Sequence, residues 1–479
     1  MLMRSSDLKF GTSGLRGVSA ALDGRPAVSF AYAFVQVMTD QGRLARGGQV
    51  LIGRDLRASS PSIAGYCMSG IRQAGAEPVD CGALPTPALA AHAMKLGLPA
   101  IMVTGSHIPE DRNGLKFYRP DGEIDKHDEA AIVAAEQAVP ADLIVAHGTA
   151  ASATEDAKSG YVARAQGILP PDALSGMKVG IYQHSSVMRD MLVDVLEQLG
   201  AETVPFSRSN VFVPVDTEAL RAEDVEICRV ASKEHALDAI VSTDGDADRP
   251  LIADEKGAFL RGDLVGAVTA HMLGADCVVT PITSNSGIEK CERFARVVRT
   301  RIGSPYVIEG MSIAKAEGAS IVVGFEANGG VLLGTGAEIA GRPVAALPTR
   351  DAMLPILAVL WASKSTGKPL SAFAEDFAFG AALGDRLQNI PGHKSGLFVA
   401  TLDGDAGFRD RFLVDLIDVV ALDTTDGVRL TGTDGSVLHF RASGNAPELR
   451  CYVEAASQEK AEALLREGLA RARECLKRS

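Results

Sequence analysis

The segment Ser242-Thr243-Asp244-Gly245-Asp246-Ala247-Asp248-Arg249 places three carboxylates at every second residue. In extended chain that spacing points all three to one side, and Gly245 and Ala247 remove bulk between them. Three anions so close repel unless a cation joins them. An all-oxygen donor set favours a hard ion such as Mg²⁺. A solvated acidic turn is the plain alternative. A second alternative is a phosphatase or mutase with Asp244 as nucleophile and Asp246 as proton donor. An EF-hand is excluded, because Arg249 stands where that loop needs glycine and a strand-like run precedes it.

A second loop runs Thr104-Gly105-Ser106-His107-Ile108-Pro109 and on through Asn113-Gly114 to Lys116. A serine at the carboxyl end of a sheet strand sits where α/β proteins place ligands. His107 and Lys116 supply proton-transfer or cationic groups nearby; a capping serine in a turn is the alternative. The G-x-S-x-G elbow of hydrolases is absent. A third loop, Gly324-Phe325-Glu326-Ala327-Asn328-Gly329-Gly330, offers an acceptor and a donor–acceptor pair suited to vicinal sugar hydroxyls. A fourth, Arg441-Ala442-Ser443-Gly444-Asn445 through Arg450, has guanidinium forks, a hydroxyl and an amide suited to a phosphate dianion. Neither a Walker A loop nor a dinucleotide fingerprint occurs, and Gly367-Lys368 is broken by Pro369.

These loops need a scaffold, and short β-branched runs alternating with helical segments provide one. Strands are expected at Val50–Gly53, Ala100–Thr104, Lys178–Tyr182, Ala239–Thr243, Cys277–Ile282 and Ser320–Phe325. Helices are expected from Ser59 or Ser60 to near Gly75, over Met188–Leu199 and over Arg350–Ala362. Such alternation reads as α/β with mostly parallel sheets. The last ~100 residues differ. Val428–Leu430 and Val437–Arg441 flank the turn Thr433-Asp434-Gly435, and an amphipathic helix follows at about Gln458–Leu476. That pattern reads as a small α+β domain.

Composition sets limits. The 479 residues carry 48 Lys plus Arg against 60 Asp plus Glu, a net charge of −12. An acidic chain lacks the field used for nonspecific nucleic-acid binding. No apolar run approaches the ~18 residues of a membrane span, and the opening has no signal-peptide pattern. The seven scattered cysteines include no C-x-x-C pair, which suits free thiols in a reducing cytoplasm.

Taken in order, the four loops, with Phe10-Gly11-Thr12-Ser13-Gly14-Leu15-Arg16-Gly17 and Gly303-Ser304-Pro305-Tyr306, resemble the α-D-phosphohexomutase family from Phe10 to about Glu454. The resemblance implies three α/β domains with mixed, mainly parallel sheets plus a smaller C-terminal α+β domain around a central cleft. Their limits are expected at 1–150, 151–257, 258–370 and 371–479. It implies interconversion of hexose 1-phosphate and hexose 6-phosphate, with mannose or glucose favoured, through a phosphoserine enzyme and a hexose 1,6-bisphosphate. Ser106 is then the phosphoserine, with Lys116, His107 and Arg16 as acid/base and electrostatic groups. Asp244, Asp246, Asp248 and a Ser106 phosphoryl oxygen hold Mg²⁺, and Arg249 lies near the transferring group. Glu326, Asn328, Gly303 and Ser304 bind or orient the sugar, while Arg441, Ser443, Gly444 and Asn445 hold the other phosphate. The implied partner is a small phosphosugar, with no nucleic acid, membrane or protein partner, in the cytoplasm.

The sequence departs from the family pattern at Gly105 and Ile108, usually Ala and Asn, and at Ala247, usually Gly. Asn328 and Gly330 replace Ser and His, which shifts the acid/base role toward Lys116. Asn445-Ala446 stands where Thr-Glu is common. The Asn328 form also resembles phosphoglucosamine and acetylglucosamine phosphate mutases. A non-catalytic sugar-phosphate binder is the alternative of another class.

Overall fold

A computed structural model describes residues 8–11, 14–444 and 447–478. By packing the chain forms two units, one of residues 1–279 and 303–376, the other of residues 280–302 and 377–479.

The first unit holds three mixed sheets. In the first, Glu77–Ala83, Gln49–Arg54 and Ala100–Val103 run parallel. Arg112–Arg119 closes antiparallel on Ala100–Val103, and Leu15–Val18 pairs antiparallel with it in turn. This register sets Arg16 opposite Gly114 and Met102 opposite Lys116. The second sheet orders Glu202–Arg208, Lys178–His184, Ala239–Thr243 and Pro250–Ala253, with only the last strand antiparallel. In the third, Cys277–Pro281 runs parallel to Val322–Phe325, and Val331–Leu333 and Leu347–Asp351 follow antiparallel. Burial explains the strand composition. Ala100–Val103, Ala239–Thr243 and Val322–Phe325 are buried along their whole length, so continuous apolar runs replace an alternating pattern.

The helix expected at Arg350–Ala362 begins later, at Met353, and runs to Thr366. Arg350 and Asp351 instead end the strand Leu347–Asp351. Pro355 fixes the boundary: it has no N–H to donate, so it fits only the first helical turn. The Asp351 carboxylate accepts from the Met353 N–H at 2.9 Å and satisfies one of the open donors there.

The second unit carries a five-stranded antiparallel sheet in the order Ala381–Gln388, Glu448–Ala455, Val437–Ala442, Val428–Gly432 and Val419–Asp423. The expected hairpin is present, with Gly435 in the left-handed region at φ +79°. Phe398, Phe412 and Phe440 meet edge to face at its core. The final helix spans Gln458–Arg478. All seven cysteines are free. Among the described residues no helix is long and apolar enough to cross a membrane.

Candidate active site

The strand Ala100–Val103 delivers Ser106 through Thr104 and Gly105. Ser106 is buried and left-handed, at φ +54°, a conformation a non-glycine residue keeps only when its surroundings impose it. Those surroundings are visible. The Ser106 N–H donates to Thr104 Oγ1 at 2.8 Å, and that hydroxyl donates to Asp55 Oδ2 at 2.7 Å. Arg57, fully buried and paired with Asp55 at 3.2 Å, donates to the carbonyls of Ser106, Ile108, Pro109 and Arg112. Its guanidinium fills the space beside Gly105. A Cβ at 105 would stand 2.7 Å from Arg57 Cζ and Nε, which accounts for glycine where the family favours alanine.

The three aspartates meet through a tight turn, not the extended chain that the spacing suggests. The Asp244 N–H donates to the Arg249 carbonyl at 3.1 Å, the Ala247 N–H to the Asp244 carbonyl at 3.3 Å, and Ala247 is left-handed at φ +59°. The result still gathers the trio: one ligand oxygen from each of the buried Asp244, Asp246 and Asp248 lies within 4.8 Å of the others. Ser106 Oγ donates to Asp244 Oδ2 at 2.6 Å. Lys116 Nζ donates to Asp246 Oδ2 at 2.6 Å and Asp248 Oδ2 at 2.5 Å. Thr86, at the start of the helix Thr86–Leu96, donates its hydroxyl to Asp246 Oδ2 at 2.5 Å and its N–H to the Asp246 carbonyl at 2.9 Å.

This arrangement fits a cation. Asp246 Oδ1 and Asp248 Oδ1 are buried and have no hydrogen-bond partner. A buried, unsatisfied carboxylate oxygen is costly, and coordination of a hard ion removes that cost. Desolvation, with repulsion from Asp246 and Asp248, pushes Asp244 well above the usual carboxylate range. Burial would raise Asp248 too, but Arg350, Lys116 and Arg249 outweigh it and hold that carboxyl below its ordinary value.

Cations ring the serine. Arg249 Nη1 lies 3.0 Å from His107 Nδ1, and Ser106 Oγ lies 3.2 Å from the same nitrogen. A guanidinium can only donate, so Nδ1 accepts and the ring proton sits on Nε2. Burial, then the charges of Arg249 and Arg16, hold His107 well below its ordinary value and keep the ring neutral. Arg16 is pulled down to about 10 by burial and by Arg249 and Arg350. Arg249 Nε is a buried donor with no hydrogen-bond partner, 3.7 Å from Asp248 Oδ1. Guanidiniums that repel one another around an unfilled donor suit a phosphoryl dianion.

The loop that carries Glu326 and Asn328 follows the strand Val322–Phe325. Glu326 and Asn328 are both buried, and Asn328 Nδ2 lies 3.4 Å from Glu326 Oε2. Asn328 Oδ1 accepts from the Gly330 N–H at 2.9 Å, which shapes the turn. Ser304 begins the helix Ser304–Ala316 after Gly303, which is at φ +128°. Its hydroxyl donates to Glu123 Oε2 at 2.9 Å, and Thr349 donates to Glu123 Oε1 at 2.8 Å, so Ser304 reaches the first sheet through Glu123.

Thus Ser106, His107, Lys116, the three aspartates and Arg249 converge directly, with Arg16 close in charge. Glu326 joins them through Arg350, which donates to Glu326 Oε2 at 3.1 Å and pairs with Asp248 Oδ2 at 2.8 Å. Arg350, Arg57, Asp55, Thr86 and Glu123 are the contributors that motif reading did not single out. Arg350 carried a signal in retrospect, as an arginine three residues before a strongly apolar helix. Arg441, Ser443 and Gly444 lie in the second unit, at the end of the strand Val437–Ala442. There Arg441 Nε donates to Asp426 Oδ1 at 2.8 Å, and the Ser443 N–H to the Glu448 carbonyl at 3.1 Å. Asn445 lies outside the described residues.

Four family models match in order: the α/β/α domains I, II and III of phosphoglucomutase/phosphomannomutase at residues 7–139, 160–257 and 261–378, and the C-terminal domain at 394–470. A phosphomannomutase of Sinorhizobium fredii is 50% identical over 465 residues, covering 96% of this chain and 98% of its own. A phosphomannomutase of Salmonella muenchen is 41% identical over 461 residues, covering 96% and 94%. The crystal structure of a phosphoglucomutase/phosphomannomutase family protein from Burkholderia thailandensis superposes with a TM-score of 0.78 at 20% identity, over 99% of this chain and 98% of that one.

Proposed function

This chain belongs to the phosphoglucomutase/phosphomannomutase family, and from that premise we propose that it interconverts hexose 1-phosphate and hexose 6-phosphate, with mannose or glucose as the sugar, by passing a phosphoryl group through Ser106. The observation that carries this reading is the 2.6 Å bond between Ser106 Oγ and Asp244 Oδ2, which joins the nucleophile to the acidic trio.

Asp244, Asp246, Asp248 and a phosphoryl oxygen on Ser106 would hold Mg²⁺, which would neutralise charge at the transferring group. The protein does the rest. Phosphoserine carries about −1.5 to −2 charges beside a substrate phosphate of like charge, and Arg249 and Arg16 offset that repulsion. Ser106 gives its phosphoryl group to one sugar oxygen, which makes a hexose 1,6-bisphosphate. The bisphosphate turns over, and Ser106 Oγ takes a phosphoryl group back from the second oxygen. Lys116 Nζ is the group assigned to carry the sugar hydroxyl proton, in keeping with glycine at 330. His107, neutral and accepting from Arg249, fixes that guanidinium beside Ser106. Glu326 and Asn328 hold hydroxyls that sit alike in both orientations, with Gly303 and Ser304 at the sugar's edge. Arg441, Ser443, Gly444 and Asn445 are assigned the phosphate that does not react, on their motif. The partner is a small phosphosugar, the activator a hexose 1,6-bisphosphate and the setting the cytoplasm, in keeping with seven free thiols.

A second reading, a phosphoglucosamine or acetylglucosamine phosphate mutase of the same mechanism, is favoured by Asn328. A coupled assay across mannose, glucose, glucosamine and acetylglucosamine 1-phosphates, with Mg²⁺ and catalytic bisphosphate, decides between them. Turnover of none of the four overturns the mutase reading.

A further inference from the structure

Arg350 is 3% exposed and lies between two loops that carry different parts of the proposed chemistry. Its Nη2 meets Asp248 Oδ2 at 2.8 Å and its Nη1 meets Glu326 Oε2 at 3.1 Å. In each carboxylate the same division results. Asp248 Oδ2 is taken by Arg350 and Lys116, while Oδ1 has no hydrogen-bond partner. Glu326 Oε2 is taken by Arg350 and Asn328, while no described residue donates to Oε1. Two nitrogens of one planar fork thus fix which oxygen of each acid stays open. A lysine, with one nitrogen on a flexible stem, does not reproduce that geometry.

The path of the side chain depends on Gly330. A Cβ there would stand 2.7 Å from Arg350 Cδ and 2.9 Å from Cγ, so a side chain at 330 and the present course of Arg350 exclude each other. Below, Asp351 accepts from the Tyr161 hydroxyl and from the Met353 N–H, which anchors the strand end that carries Arg350.

We propose that Arg350 is a positioning residue of the mutase reaction: it holds Glu326 Oε1 toward the sugar hydroxyls and Asp248 Oδ1 toward the cation, and keeps the two loops in register while the bisphosphate reorients. This rests on the reading of the site given above. Loss of the fork frees Glu326 to rotate, which weakens sugar binding, and leaves Asp248 held by Lys116 and the more distant Arg249.

The test uses the full chain with Arg350→Ala, Arg350→Lys and Gly330→Ala, reading KM and kcat for the hexose 1-phosphate and, without turnover, Mg²⁺ affinity by calorimetry. Arg350→Ala is expected to raise KM and weaken Mg²⁺ binding, each by about 10-fold or more, and millimolar guanidinium is expected to restore KM partly. Arg350→Lys is expected to keep most of the Mg²⁺ affinity but not KM. Gly330→Ala, which displaces the stem and leaves the arginine in place, is expected to raise KM as well; it serves if Arg350→Ala does not fold. Wild-type KM and Mg²⁺ affinity in a folded Arg350→Ala, or wild-type KM in Gly330→Ala, overturn the inference. An inactive wild-type chain overturns the mutase reading instead, and the Mg²⁺ titration then still judges Arg350.

Discussion

Ser106 Oγ and Asp244 Oδ2 are 138 residues apart in sequence and 2.6 Å apart in space. The contact joins the proposed nucleophile to the acidic trio. Two chemistries meet at this contact, attack by the serine and attack by Asp244, and the chemical nature of the phosphoryl adduct separates them.

Ser106→Ala is expected to lower mutase turnover by at least about 10³-fold while thermal unfolding stays cooperative. Intact mass of the wild-type chain should show an acid-stable phosphoryl increment that the variant lacks. A hydroxylamine-labile increment that persists in the variant would point to Asp244 as the nucleophile.

Chelation should abolish activity, and added Mg²⁺ should restore it. Thr86→Val removes one of the two donors to Asp246 Oδ2 and leaves Lys116 alone to align that carboxylate. A loss of about 10- to 100-fold in Mg²⁺ affinity or rate is expected; an unchanged Mg²⁺ titration would show that Thr86 does not orient the ligand. Asp246→Asn should weaken Mg²⁺ binding further.

Gly105→Ala introduces the residue common in the family, yet here its Cβ meets Arg57. The guanidinium must shift from the carbonyls that keep Ser106 left-handed. A stability loss of about 1–3 kcal/mol is expected, together with a fall in kcat. Urea unfolding and steady-state rates measure both, and a neutral variant would show that the Arg57 cradle yields without consequence.

His439 offers a pH test away from the serine. Burial lowers its pKa from 6.5 to about 4, against its bond to the Asp426 carbonyl at 2.7 Å. The unfolded chain therefore takes the proton first. The contribution is fully present above pH 6.5 and is lost as pH falls toward 4. Each such proton adds a slope of about 1.4 kcal/mol per pH unit in that window. His439→Gln should flatten the acid limb by one proton in denaturation measured from pH 7 to pH 4.5, and an unchanged slope would remove His439 from the account.

The residues proposed to perform the chemistry are legible because they cluster in short motifs; those that hold them are not. Ser106, the three aspartates and Glu326 each stand in a distinctive local string. Arg57 and Asp55 act through a buried ion pair and four backbone carbonyls, and no spacing announces which carbonyls a guanidinium will reach. Thr86 reads as an ordinary first-turn residue before Pro87. Arg350 falls within the expected helix because a continuous apolar run follows it, although Pro355 limits where that helix can begin. The carboxylate trio gathers as its spacing suggests but on a different backbone, since a tight turn brings alternate residues together as well as a strand does.

The second unit is assembled from two stretches of chain, and the shorter, 280–302, interrupts the first unit. It is bound to the later stretch by Asn285 donating to the Gly380 carbonyl, by Ser286 donating to Glu454 and by the Ile302 N–H donating to Asp426. A clean cut near residue 376 therefore does not release a self-sufficient module. It parts an excursion from partners that lie downstream. Chimaeras between relatives should exchange both stretches together, and a swap of the tail alone should yield aggregation-prone hybrids even where each parent is robust.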